Sequence, residues 1–412
     1  MTSNLSARRW HLLLRAGASV VLALGVVTAC GSNDDSGDDS STTAATVKSY
    51  DKSVAGVVEA SEAFLATLDD TEKTSVQLAF TQANVIAWSN LPCGATCRPG
   101  IALSALDDDQ VAAAKSVLVT ALGTGAGTGY DRVSEIFLAD DYLGSVQASS
   151  GTDTSADPGG GMSGAPDGGM SGGPGGAMPS GGSMSGGSSG GGLGGYSSGN
   201  YYMAFLGTPS TTDAWQLHFG GHHLAVNLTY KAGAVEGASP FFVGVEPTSW
   251  SDAIGATHQP LQDMKAAMLA MTTSLSTAEQ TKAKLSQSFS DVLVGPGEDG
   301  QFPAKKLGLA ASALTAAQKK LVLAAIKPWV ANADDATATS LMSTYESEID
   351  KTYIGWSGTT GLTKHADYVR IDGPSVWVEF VCQNGVVLQD QIHYHTVYRD
   401  HTRDYGGEFT FS

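Results

Sequence analysis

The stretch IHYHTVYRD, Ile392 to Asp400, decides how this chain is read. Its aromatic and β-branched residues suit a pleated strand. Successive side chains of a strand point to opposite faces, so His393 and His395 share one face with their Cβ atoms about 7 Å apart. Ile392, Tyr394, Thr396 and Tyr398 take the other face, which reads as the packed one. Two imidazoles at that spacing can reach one metal ion, and eight of the nine histidines lie between His218 and His401.

The preceding segments TYIGWSG, ADYVRIDG and SVWVEFVC are also strand-like. A second strand group lies in the middle of the chain: NYYMAFLG, AWQLHFG, HHLAVNLTY and PFFVGV. Helical periodicity marks AGVVEASEAFLATL, TEKTSVQLAFTQANVIAW to Trp88, DDDQVAAAKSVLVTAL and YDRVSEIFLADDYLGSV. It returns between residues 259 and 350, in QPLQDMKAAMLAMTTSL, TAEQTKAKLSQSF, TAAQKKLVLAAIKPWV and DATATSLMSTYESEI. Helices and strands are segregated, so the expectation is an α+β fold. Its largely antiparallel sheet is built from the middle and C-terminal strand groups and packed with N-terminal and central helices. Residues 49–412 read as one domain, interrupted at 151–199 by a Gly/Ser/Met-rich insert that reads as disordered. Met162, Met170, Met178 and Met184 recur in that insert. Thioethers are soft ligands for Cu(I), so copper capture is one reading and low-complexity repetition the other.

The N-terminus reads as a targeting signal. Arg8, Arg9 and Arg15 precede an apolar run that ends in Val27-Thr28-Ala29-Cys30-Gly31. This predicts a lipoprotein signal peptide over 1–29, with Cys30 lipidated, and a flexible acidic tether over 30–48. The Arg8-Arg9 pair leaves twin-arginine or general export open. The expected location is the cell envelope, with the protein lipid-anchored to the outer face of a membrane. The formal charge is −18, and loss of the three signal arginines makes it −21. Such a surface repels nucleic acid, so none is expected as a partner. An oxidising compartment suits a disulfide between Cys93 and Cys97, with a CxxxC metal site the alternative that lacks a second cysteine pair, whereas Cys382 ends an apolar run and reads as a buried thiol.

Several segments, in order, resemble the bacterial family called domain of unknown function 3500. They include Arg98-Pro99-Gly100, Phe205-x-Gly207-x-Pro209, Gly221-His222-His223-Leu224 and Pro240-x-Phe242-x-Gly244-x-x-Pro247. Tyr368-x-Arg370-Ile371-x-Gly373-Pro374 and Glu379 follow, then His393-x-His395-x-x-x-Arg399-Asp400 with Asp404-Tyr405-Gly406. Gln391 departs from the asparagine the resemblance leads us to expect. The resemblance implies membership and brings no activity with it.

The candidate site is a metal or active site built from His393, His395 and His222 or His223, with Glu379 as a possible carboxylate. Strand parity sends His222 and His223 to opposite faces and favours His223, unless Gly220-Gly221 bends the backbone. Two or three imidazoles with a carboxylate suit Zn, Cu or Fe and leave a position for water or a small-molecule substrate. Asp400 and Asp404 are candidates for orienting imidazole N–H groups, and Arg399 for clamping an anionic substrate. Motifs of serine hydrolases, P-loop proteins and HExxH metalloproteases are missing. Three functions follow: a metal-dependent hydrolase or oxidoreductase, a copper or zinc delivery lipoprotein, or a non-catalytic envelope protein with structural histidines.

Overall fold

One register joins the two strand groups. The computed structural model describes residues 45–150 and 195–411 of the protein. The expected signal peptide, Cys30, most of the tether and the methionines of the insert lie outside the described residues. The strands are β1 (Gln77–Leu78), β2 (Ile101–Ala102), β3 (Tyr202–Leu206), β4 (Trp215–Gly220), β5 (Leu224–Lys231), β6 (Ala234–Gly237) and β7 (Phe241–Val245). They continue as β8 (Trp250–Ser251), β9 (Thr257–His258), β10 (Leu309–Ala310), β11 (Tyr353–Ser357), β12 (Tyr368–Asp372), β13 (Val376–Asn384) and β14 (Ile392–Asp400). A 12-stranded sheet runs β1-β3-β4-β5-β7-β14-β13-β12-β11-β10, with β2 on β3 and β6 on β5. Every described pairing in it is antiparallel except β1 with β3. β14 is the seam: it pairs with β13 on one side and, from Tyr394↔Val245 to Tyr398↔Phe241, with β7 on the other. The fold is thus the α+β arrangement expected from the sequence.

The helices are α1 (Val54–Thr67), α2 (Asp70–Val76), α3 (Gln82–Val85), α4 (Asp108–Ala121), α5 (Tyr130–Ser150), α6 (Gln262–Thr273), α7 (Thr277–Ala283), α8 (Ala316–Val330) and α9 (Asp335–Ser347). Capping boxes open α2, α4, α7 and α8, where an Asp, Ser or Thr side chain and the Glu or Gln three residues on satisfy each other's free N–H groups. Two expected helices are shorter than their periodicity. The one from residue 71 to 88 stops at Val76, because Gln77 and Leu78 pair with Phe205 and Leu206 of β3. The one beginning at Thr277 stops at Ala283, because the Leu285 N–H donates to the Trp356 carbonyl at 2.8 Å. No described helix is long and apolar enough to cross a membrane.

Helices cover one face of the sheet. On β14 that face carries Tyr394, Thr396 and Tyr398, as parity predicts. Trp329 of α8 donates to Thr396 at 2.6 Å, Tyr345 of α9 meets Tyr398 at 2.6 Å, and Lys265 of α6 donates to Tyr394 at 2.7 Å. Phe64 of α1 and Phe137 of α5 pack edge-on against Phe205 and Tyr201. The main core lies between these layers. Segments 78–92 and 285–302 and the C-terminal residues cover the other face, where Trp88, Phe242, Phe289, Val381 and Val397 form a second core. His393 and His395 belong to this second face.

Polar residues also line it at the far edge. Gln216 donates to Asn227 at 2.9 Å, and Asn227 donates to the Pro240 carbonyl at 2.8 Å. His218, opposite Asn227, is 2 % exposed. Burial pushes its pKa down from 6.5 to about 4, against the hydrogen bond of Asn227 and helped by the charge of Arg98. A histidine held neutral in the fold but free to protonate when unfolded supports stability fully above pH 6.5 and loses that support as pH falls towards 4. Urea unfolding at pH 7 and pH 4 tests this. The wild type should lose about 3 kcal/mol more over that range than His218→Gln.

Candidate metal centre

The site is assembled where the β4–β5 hairpin, the end of β7, β14 and α5 meet. The hairpin turns on His222 and His223 themselves, since the Gly221 N–H donates to the Leu224 carbonyl at 2.8 Å and Leu224 begins β5. Strand alternation therefore does not govern the doublet. His223 reaches His393, as parity favoured, but His222 is not sent to the opposite side. Its ring centroid lies 4.0 Å from that of His223. The His223 carbonyl accepts from the Gly244 N–H at 2.9 Å, and Gly244 pairs with His395 across β7 and β14. A Cβ on Gly244 would stand 2.8 Å from His395 Cδ2 and 3.0 Å from His223 Cδ2. The bare backbone there is what lets the two rings approach.

Three imidazoles converge. His223 Nε2 and His393 Nε2 are 3.1 Å apart, and the His393 and His395 ring centroids are 4.4 Å apart. One ligand nitrogen from each of His223, His393 and His395 can be chosen so that all lie within 4.8 Å of one another. Each ring also has a carboxylate at its other nitrogen. His223 Nδ1 lies 2.7 Å from Asp140 Oδ1, His395 Nδ1 lies 2.9 Å from Asp291 Oδ1, and His393 Nδ1 lies 3.8 Å from Glu246 Oε2. Glu246 is fixed by the N–H groups of Val386, Val387 and Leu388, and Asp140 by the Tyr201 hydroxyl. Asn90 donates to Asp291 at 3.1 Å. Its loop is drawn in by the Cys93–Cys97 disulfide and by Arg98, which donates to the Ser89 carbonyl at 2.8 Å.

Electrostatics leave the rings neutral. Burial pushes His223, His393 and His395 down, with neighbouring imidazoles adding to the effect and the carboxylates opposing it at His223 and His395. Asp140 would be raised by burial, but His222 and His223 hold it well below the usual carboxylate range. With Nδ1–H of His223 and His395 committed to carboxylates, their Nε2 atoms carry lone pairs. His395 Nε2 and His393 Nδ1 are buried and have no hydrogen-bond partner. A purely hydrogen-bonded cluster serves only the contact between His223 and His393. These groups could hold a metal ion.

Other residues singled out in the sequence lie elsewhere. Glu379 accepts from Leu293 N, Val294 N, Tyr368 and Trp377 within 2.9 Å, so its carboxylate is saturated away from the imidazoles. Arg399 donates to the carbonyls of Val294 and Gly295 and to Asp299 and Asp404. Asp400 caps the turn at Thr402 and Arg403. Asp404 accepts from Arg399 and from the Asp400 N–H. These four make a structural network at the other end of β14 and orient no histidine. The orienting acids Asp140, Glu246 and Asp291 escaped sequence reasoning. Asp140 left a trace: it continues the buried series Val133, Ile136, Phe137 and Leu143 along α5, where an acid is out of place. Tyr196, within the expected disordered insert, is instead described and packs edge-on against His222 at 4.6 Å. Cys382 is a buried free thiol, pushed by burial up to about 12.

The fold and site define an α+β protein with a buried three-imidazole centre backed by carboxylates. The chain belongs to the family described as Protein of unknown function (DUF3500), which it matches over residues 50–407. No curated protein and no solved structure matches it.

Gly244→Ala tests how the centre is spaced. The added Cβ forces the rings of His223 and His395 apart and should cost about 1–3 kcal/mol in urea unfolding. An unchanged midpoint and slope would show that the rings have room that this packing denies them.

Proposed function

We propose that the protein binds one transition-metal ion through Nε2 of His223, His393 and His395 and acts as a metal-dependent protein of the cell envelope. The observation that carries this reading is that two of the converging imidazoles, His223 and His395, are hydrogen-bonded to a carboxylate on their far side, with Glu246 3.8 Å from the third. Carboxylates placed behind histidine ligands fix the tautomer and raise ligand basicity. Three protein ligands are also the count found in catalytic zinc sites, which keep a fourth position for water or substrate, whereas structural sites close with four. Neutral imidazole suits Zn, Cu and Fe. Once bound, such an ion polarises a carbonyl or lowers the pKa of water, which favours hydrolysis of a small molecule as the first activity to test. The chain's own residues supply the rest: Asp140 and Asp291 hold the two Nδ1 protons, Glu246 faces the third ring, and Tyr196 shields the His222–His223 turn.

Export and lipidation at Cys30 complete this reading, because an envelope setting suits both the Cys93–Cys97 disulfide and a tethered acidic body. Copper delivery is the second reading, favoured by the four spaced methionines of the insert.

Elemental analysis of protein purified without a histidine tag tests the proposal. Wild type should carry at least one transition-metal ion per chain, and His393→Ala/His395→Ala should lose it. Asp291→Asn should weaken metal affinity roughly 10–100-fold with the fold intact. Wild-type protein that neither contains nor takes up metal removes both readings. Metal lost only when residues 151–194 are deleted supports delivery. The Cys30→Ala variant should leave the membrane fraction.

A further inference from the structure

We infer that a second metal ion binds beside the first, held by His222 Nε2, Asp140 and Nδ1 of His223, so that the His223 ring bridges the two. This rests on the three-histidine reading above. His222 is 4 % exposed, yet its Nε2 has no hydrogen-bond partner. That nitrogen lies 3.3 Å from Asp140 Oδ1, an ion-pair distance without a well-formed hydrogen bond. The two atoms face each other in a buried pocket, and a cation coordinated by both would satisfy them together. Two ligand atoms about 2.0–2.1 Å from one ion at a tetrahedral angle stand roughly 3.3 Å apart, which is the separation found. Asp140, His222 and His223 also form a second group whose ligand atoms all lie within 4.8 Å of one another.

His223 is common to both groups, with Nε2 towards His393 and Nδ1 towards Asp140. It can serve two ions only as imidazolate. The Nδ1 proton now shared with Asp140 then leaves to solvent, one proton per second ion bound, and each ring nitrogen donates one lone pair. Asp140 changes from hydrogen-bond acceptor to ligand while its other oxygen keeps the Tyr201 hydroxyl. The second ion should bind more weakly than the first, because its site must first give up that proton. Asp140, the carboxylate of the second site, is fully buried and is ion-paired to no lysine or arginine among the described residues.

Equilibrium dialysis of tag-free wild-type protein against zinc should give two ions per chain, and His222→Phe should give one. His393→Ala/His395→Ala should lose the tight ion. One ion in both wild type and His222→Phe overturns the bridged pair and leaves the three-histidine reading standing. No ion in either overturns both. Two ions in both mean that the second lies elsewhere, which also overturns it. If His222→Phe does not fold, Cu(II) titration of the wild type decides. Coupling through a shared imidazolate should make the integrated electron-spin signal fall as the second equivalent is added, with release of one proton. A signal that doubles without proton release overturns the bridge.

Discussion

The structure depends on β14 being paired along both edges. A strand at the middle of a sheet has its backbone fully used, so its side chains must be satisfied by the two faces alone. On one face Tyr394, Thr396 and Tyr398 each find a polar partner on a helix. On the other, His393 and His395 find each other and His223. A slip of one residue would exchange these sets, driving imidazoles into the helical core and tyrosines into the site. The pairing that closes the sheet therefore also sets the chemistry.

That coupling explains what was legible in the sequence. Period-2 alternation in IHYHTVYRD is a property of the strand itself, so the shared face of His393 and His395 could be read directly. The segregation of helices from strands gave the fold class for the same reason. The reading of Gln77 and Leu78 as helix failed because their pairing with β3 is decided more than a hundred residues away. His222 and His223 were only half legible. Parity presumes a strand, and the doublet is the turn between two strands. Asp291 and Glu246 carry no local sign of their role, because it arises from loops that fold over the sheet.

Arg399, Asp400 and Asp404 show the opposite error. Charged residues next to an HxH pair looked like its partners, but a strand rises about 3.3 Å per residue, and their side chains are spent several residues along. Arg399 is fully buried and meets two carboxylates and two carbonyls. A guanidinium so surrounded is locked as a structural node, with four of its five N–H groups already engaged inside the protein. Proximity in sequence was the wrong measure, and satisfaction of hydrogen bonds is the right one.

The same measure separates the two ends of β14. At the arginine end every charge has its partner within the protein. At the histidine end Asp140 and Glu246 are buried beside the imidazoles while Asp291 is 41 % exposed, and no lysine or arginine side chain pairs with these acids among the described residues. Burying negative charge without a counter-charge is costly, and proteins avoid it or neutralise it with a ligand. His222 Nε2 and His395 Nε2 are buried there without hydrogen-bond partners, in contrast to the guanidinium of Arg399.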